Sequence, residues 1–184
     1  MDNWARLFLA LSVLSVTGCD IFNLNANRGF HFDEKTFAAQ SKAWEDQNIA
    51  NYSFTLEGRL PYWNFSRAIL MRDYKVKVTV KNGVMNSFEY VGDIPHSEDG
   101  ESILEPEYTS ISDMYQKISD WAREEKQWWK DYSDGGFVSK NFKVKYDPAL
   151  HYINYFEPVT RVESGWILDT TEHAVYVSEF TILD

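Results

Sequence analysis

The side chains able to do chemistry in this chain are one cysteine, four histidines and 28 acids. Cys19 is the only thiol, and it closes the apolar run Leu7-Phe-Leu-Ala-Leu-Ser-Val-Leu-Ser-Val-Thr-Gly18. A thiol is a nucleophile, and with no second cysteine it can neither form an intrachain disulfide nor build a thiolate metal site. His31, His96, His151 and His173 are scattered, with no pair at helical metal spacing. Asp169, Glu172 and His173 offer one metal face, but adjacent strand residues such as Glu172 and His173 point oppositely. Surface histidines are therefore the expectation, with no metal and no cofactor. No glycine-x-serine-x-glycine elbow and no glycine-rich phosphate loop is present. Asp131-Tyr-Ser-Asp-Gly-Gly136 starts like a calcium loop, yet glycine stands fifth and Phe142 twelfth, where a bidentate glutamate is needed. General acid/base work needs a placed pair of carboxylates in a cleft, for which carboxylates such as Glu125 or Asp147 are candidates.

Composition bounds what these groups can serve. Of 184 residues, 44% are hydrophobic and 16% aromatic, enough apolar surface to offset the entropy of ordering one domain. The net charge of -10 argues against nucleic acid, because phosphate affinity comes from clustered lysine and arginine.

The apolar run is too short to cross a bilayer, which takes about 20 residues as a helix. It fits a signal-peptide core followed by small residues. Val16-Thr17-Gly18-Cys19 resembles the lipobox of bacterial lipoproteins. That resemblance implies cleavage between Gly18 and Cys19, lipidation of Cys19 by a diacylglycerol thioether, and acylation of the new amino group by a fatty acid such as palmitate. The plainer alternative is a secretory signal with a chance cysteine. Residues 1–18 are thus expected as signal peptide, 19–33 as a tether and 34–184 as one domain. A flexible coil of ~14 residues spans about 20 Å, keeping the domain near its membrane.

Along the domain, Asp33 is placed to cap a helix beginning at Glu34, with Phe37, Ala38, Ser41 and Trp44 on one face. Tyr52 to Leu56 alternates as a strand, and Arg59 to Ser66 reads as an aromatic loop broken by Pro61. Tyr74 to Tyr90 is a hairpin. A two-residue Asn82-Gly83 turn would set Val78 beside Ser87 and mismatch the faces, so a three-residue Lys81-Asn82-Gly83 loop is preferred, with Val76 opposite Phe88 and Lys75 opposite Glu89. Gly92 to Glu107 holds six acids and two prolines and reads as a solvated loop. Ser110 and Asp113 resemble a capping box for a helix with the stripe Ile111, Met114, Tyr115, Ile118, Trp121, Ala122 and Trp129. Glu125 falls inside that stripe. Either the helix overhangs the sheet there, the preferred reading, or Glu125 finds a partner such as a tyrosine hydroxyl. Strands follow at Phe142 to Tyr146, Tyr152 to Glu157 (stopped by Pro158) and His173 to Ile182, with an edge strand near Trp166.

This order of elements resembles the bacterial lipoprotein family called domain of unknown function 6174. The resemblance runs from about Lys42 to the end and is carried by Trp44, Asn51-Tyr-Ser-Phe-Thr-Leu56, Val76 to Val84, Ile111-Ser-Asp-Met-Tyr115 and Val144-Lys-Tyr-Asp-Pro148. It departs from the family after the first strand, where many members carry cysteines and this chain has Arg59 to Asn64. It departs again at Leu150-His-Tyr152, where glycine-tyrosine-proline is common. The resemblance implies fold and location and leaves activity open.

The fold expected is α+β: an antiparallel twisted sheet of five or six strands with two helices packed on one face. Its inner face collects Phe54, Leu56, Val76, Val78, Val80, Phe88, Val144 and Tyr146 against Trp44, Ile118 and Trp121. Two features suit partner binding. Lys75, Lys77 and Lys81 with Lys143 and Lys145 form a basic outer face if their strands are neighbours; the plainer reading is that lysines keep an exposed sheet soluble. Tyr62, Trp63 and Phe65 with Trp128 can stack on sugars or grip a partner; the plainer reading folds that loop over the core. The functional expectation is a membrane-anchored, non-catalytic binding or scaffolding lipoprotein of the cell envelope, facing the periplasm or cell exterior. Its partners would be the membrane, through the anchor, and an envelope protein or glycan. The alternatives are a periplasmic carboxylate-dependent hydrolase and an inhibitor of envelope proteases or lysozymes.

Overall fold

The structure is a computed structural model that describes residues 29–63, 69–92, 106–131, 137–162, 169–171 and 174–184. Eight strands and two helices occur among them: β1 Gly29–His31, α1 Glu34–Asp46, β2 Tyr52–Trp63, β3 Ile69–Lys81, β4 Val84–Tyr90, α2 Ile111–Asp131, β5 Phe137–Tyr146, β6 Ile153–Val162, β7 Asp169–Thr171 and β8 Val175–Ile182. The protein is α+β with a mostly antiparallel open sheet ordered β1-β5-β6-β8-β2-β3-β4. β7 pairs with β6 next to the short β6–β8 contact. The sheet therefore has more strands than the five or six expected.

One added strand is β1, which lies inside the stretch read as tether and pairs in parallel with β5. Its anchor is aromatic. Phe30 meets Phe142 edge-on at 5.0 Å, and Phe32 packs on Phe37 at 4.9 Å. The alternation Gly29-Phe30-His31-Phe32 is what places both rings on the core side.

Both helices start where their caps dictate. Asp33 accepts a hydrogen bond from the Thr36 amide at 3.0 Å, satisfying an amide that has no partner inside the first turn. At α2, Ser110 Oγ accepts from the Asp113 amide, while Asp113 reaches back to the Thr109 amide, one residue earlier than a capping box requires. The buried Tyr52 hydroxyl accepts from the Ile111 amide at 3.0 Å, so the sheet itself finishes the cap. Lys117 completes an i, i+4 pair with Asp113.

The core forms where the helix stripes meet the inner sheet face. Phe54, Leu56, Val76, Val78 and Val80 are wholly buried, as are Ile111, Met114 and Ile118 within 1%. Trp44 packs edge-on against Tyr52 and Phe180, and Trp121 against Phe142 and Phe156. Phe88, Val144 and Tyr146 line its margin.

Three local expectations are corrected. The β3–β4 turn is the two-residue one, since Lys81 faces Val84, with Asn82 and Gly83 both at positive φ. A bulge between Thr79 and Val80 absorbs Asn86, so Val78 faces Phe88 and Lys77 faces Glu89. β2 runs straight through Pro61 to Trp63, where a loop was expected. Beyond Glu57 it has no described partner on its β8 edge, and an unpaired edge is where a residue lacking N–H is tolerated. β6 likewise passes Pro158, which falls between its contacts with β8 and β7.

The turn Asp147 to Tyr152 ties β5 and β6 to both helices. Asp147 Oδ1 accepts from the Ala149 and Leu150 amides. Gln47 donates to the Leu150 carbonyl and Tyr115 to that of His151, whose ring meets Gln40 at 2.8 Å.

Candidate functional site

Cys19, Gly18 and Phe65 lie outside the described residues, as do His96, His173 and Trp166. Tyr62 and Trp63 end β2, their backbones paired with Leu70 and Ile69. Gly58–Trp63 and Ile69–Tyr74 pair only with each other among the described residues, so they form a two-stranded ribbon projecting past β8 and β4. Trp128 is elsewhere, on the exposed edge of α2 with its ring 5.4 Å from Trp129. Among the described elements, that helix makes its main contacts with α1, β1 and β6.

The lysines are also not the patch expected. β3 and β5 share an outer face but are separated by β2, β8 and β6, and their charges are compensated. Lys75 Nζ is 2.9 Å from Glu57 and 3.8 Å from Glu179. Lys143 is 3.0 Å from Glu157. Lys145 lies over the Tyr155 ring at 5.0 Å, and Lys77 faces Glu89 in register. The Lys75 hydrogen bond, joined by one from Ser178, holds the Glu57 carboxyl below the usual glutamate range. Burial pushes the Glu157 carboxyl up, but hydrogen bonds from Lys143 and Tyr155 and the fields of Lys143 and Lys145 leave it lowered.

Sequence reasoning missed two things here. Glu125 finds a partner, as the alternative reading had it, but the partner is a lysine with an indole beside it: Lys140 Nζ reaches its Oε1 at 2.5 Å, the Trp121 indole donates at 3.1 Å, and both charged side chains are largely withdrawn from water. Lys140 points inward because it shares the alternation of Phe142 and Val144, two residues before the strand was expected to start. The second is the pair Tyr155 and Tyr176, neighbours across β6 and β8 on the outer face with rings 4.9 Å apart. Their alternation with Phe156 and with Val175 and Val177 was the available signal.

A groove of about 580 Å³ opens between the helices, floored by Phe37, Tyr115 and Ala122 and walled by Ser41, Ser112 and Ser119. Its two acids belong to α1. Glu34 is held by Lys126 at 2.6 Å, and Glu45 sits eleven residues on, roughly 16 Å along the helix axis. That spacing places no carboxylate pair on one reacting atom. Among the described residues, no group of three histidines, cysteines or acids could hold a metal ion. Nor is any helix among them long and apolar enough to cross a membrane.

No protein-family model, no curated protein and no solved structure matches the chain.

Proposed function

We propose that the chain is a lipoprotein of the cell envelope, anchored through Cys19, with a non-catalytic binding or scaffolding role and kinship to the domain of unknown function 6174 family. Its address rests on the apolar run that stops at Gly18-Cys19. The residues between Cys19 and Gly29 reach at most about 35 Å even fully extended, so the domain works close to its bilayer.

The observation that carries the binding role is an open sheet with one face left uncovered by both helices. The acids a hydrolase would call on are engaged elsewhere: Glu125 with Lys140 and Trp121, Asp147 with the amides of its own turn. The test is photo-crosslinking in envelopes, with the crosslinker on the outer sheet face of the anchored chain. Specific adducts to a glycan or a protein, lost when Cys19→Ala releases the chain, are expected; an absence of adducts from the anchored chain would refute a binding role.

A second reading, an inhibitor of envelope proteases or lysozymes, draws support from the projecting ribbon that ends in Tyr62 and Trp63. It requires the full chain to slow such an enzyme and Trp63→Ala to relieve that inhibition.

A further inference from the structure

Five neighbouring strands bring one residue each into a single row across the outer face. Lys145 on β5 faces Tyr155 on β6, Tyr155 faces Tyr176 on β8, Tyr176 faces Glu57 on β2, and Glu57 faces Lys75 on β3. At an interstrand spacing of about 4.8 Å the row is roughly 19 Å long. The sheet places these residues together although they come from five separate strands.

The chemistry of the row is particular. At its centre two tyrosine rings touch at 4.9 Å with 53° between their planes, and Tyr176 is 50% exposed. A lone exposed aromatic needs no explanation, and a cross-strand aromatic pair also supports a sheet. Here the pair is ringed by fixed hydrogen-bonding groups. Glu57 is held by Lys75 and Ser178, Glu179 by Thr55 at 2.7 Å, and Glu157 by Lys143. Because these side chains already restrain one another, a ligand binding them loses little further side-chain entropy.

Charge selects the class of ligand. The chain carries -10 overall, yet around the tyrosines lysines and glutamates alternate and cancel. Such a surface offers no net attraction to phosphate polymers or anionic headgroups. What it matches is an uncharged, hydroxyl-rich chain, whose C–H faces stack on tyrosine rings while its hydroxyls bond to carboxylates and ammonium groups.

We propose that the outer face is a carbohydrate platform, centred on Tyr155 and Tyr176, for a neutral oligosaccharide lying across the strands. It rests on the binding role proposed above and names its ligand class and its site.

The test is a titration of the detergent-solubilised full chain with a linear tetrasaccharide of N-acetylglucosamine, read by backbone amide shifts. Saturable shifts along the row at Tyr155, Tyr176, Glu57 and Lys75 are expected. Tyr176→Ala should weaken binding about tenfold, the worth of one aromatic contact, with the urea midpoint measured in parallel. Tyr176→Val, which keeps strand preference, should weaken it equally, and Trp128→Ala should leave it intact. The proposal is overturned if no saturable shift occurs, if the shifts map to the groove between α1 and α2, or if Tyr176→Ala binds as wild type. Phosphatidylglycerol vesicles shifting the same amides more strongly would overturn it as well. A failed titration beside Cys19-dependent crosslinks overturns the carbohydrate platform alone, whereas absent crosslinks overturn the binding role and the platform with it.

Discussion

Lys140 and Glu125 are each almost excluded from water and answer one another at 2.5 Å beside the Trp121 indole, with Lys140 5.0 Å from that ring. Taking the ammonium away leaves a carboxylate in the core margin with an indole N–H in place of an opposite charge. Breaking such a pair from one side costs about 3–5 kcal/mol, whereas replacing both partners by apolar groups of similar volume is often neutral. Lys140→Met should therefore lower the urea midpoint by an amount worth about 3 kcal/mol, and the double variant Lys140→Met, Glu125→Met should regain most of it. An unchanged midpoint in the single variant would contradict this. The anomaly of Glu125 in an apolar stripe was legible in the sequence. Its partner was not, because which strand residue meets a helix depends on how the two elements dock.

The β3–β4 hairpin turns through Asn82 at φ 52° and Gly83 at φ 78°. A Cβ on Gly83 would meet nothing within 4 Å, so a substitution there acts through backbone conformation alone. Gly83→Ala should cost about 1 kcal/mol in urea unfolding with an unchanged strand register in amide spectra; a stability equal to wild type would show that the left-handed turn is not held in solution. The sequence announced this hairpin through Asn82-Gly83 but led to the wrong register. A strict two-residue alternation forbids the short turn, and the bulge at Asn86 that removes the conflict has no glycine or proline to mark it. The helices were far more legible, since Asp33 and Ser110 act locally as caps. β1 was missed because a parallel strand takes its meaning from β5, more than a hundred residues later.

As a whole, the molecule is built around phenols that burial keeps protonated. Tyr52, Tyr74, Tyr108, Tyr115 and Tyr146 are all pushed above the ordinary tyrosine value, with desolvation the largest cause in each. A group whose folded value is raised contributes stability that is fully present below its ordinary value of about 10 and is lost as pH rises. Phenolate absorbance of these residues should therefore rise together with the loss of far-ultraviolet circular dichroism, in one alkaline transition. Their ionisation near pH 10 with the fold intact would contradict that packing. The α+β class and most inner-face residues were readable from alternation at Phe54, Leu56 and Val76 to Val80. The strand order was not, and with it went the basic face, because Lys75 and Lys143 are neighbours only if β3 and β5 are. The proposed envelope address depends on the thiol at Cys19, and the direct measurement is metabolic labelling with palmitate followed by membrane fractionation of wild type and Cys19→Ala. The wild-type chain should take up label and sediment with membranes while Cys19→Ala takes up none; an unlabelled wild-type chain in the soluble fraction would contradict the anchored lipoprotein.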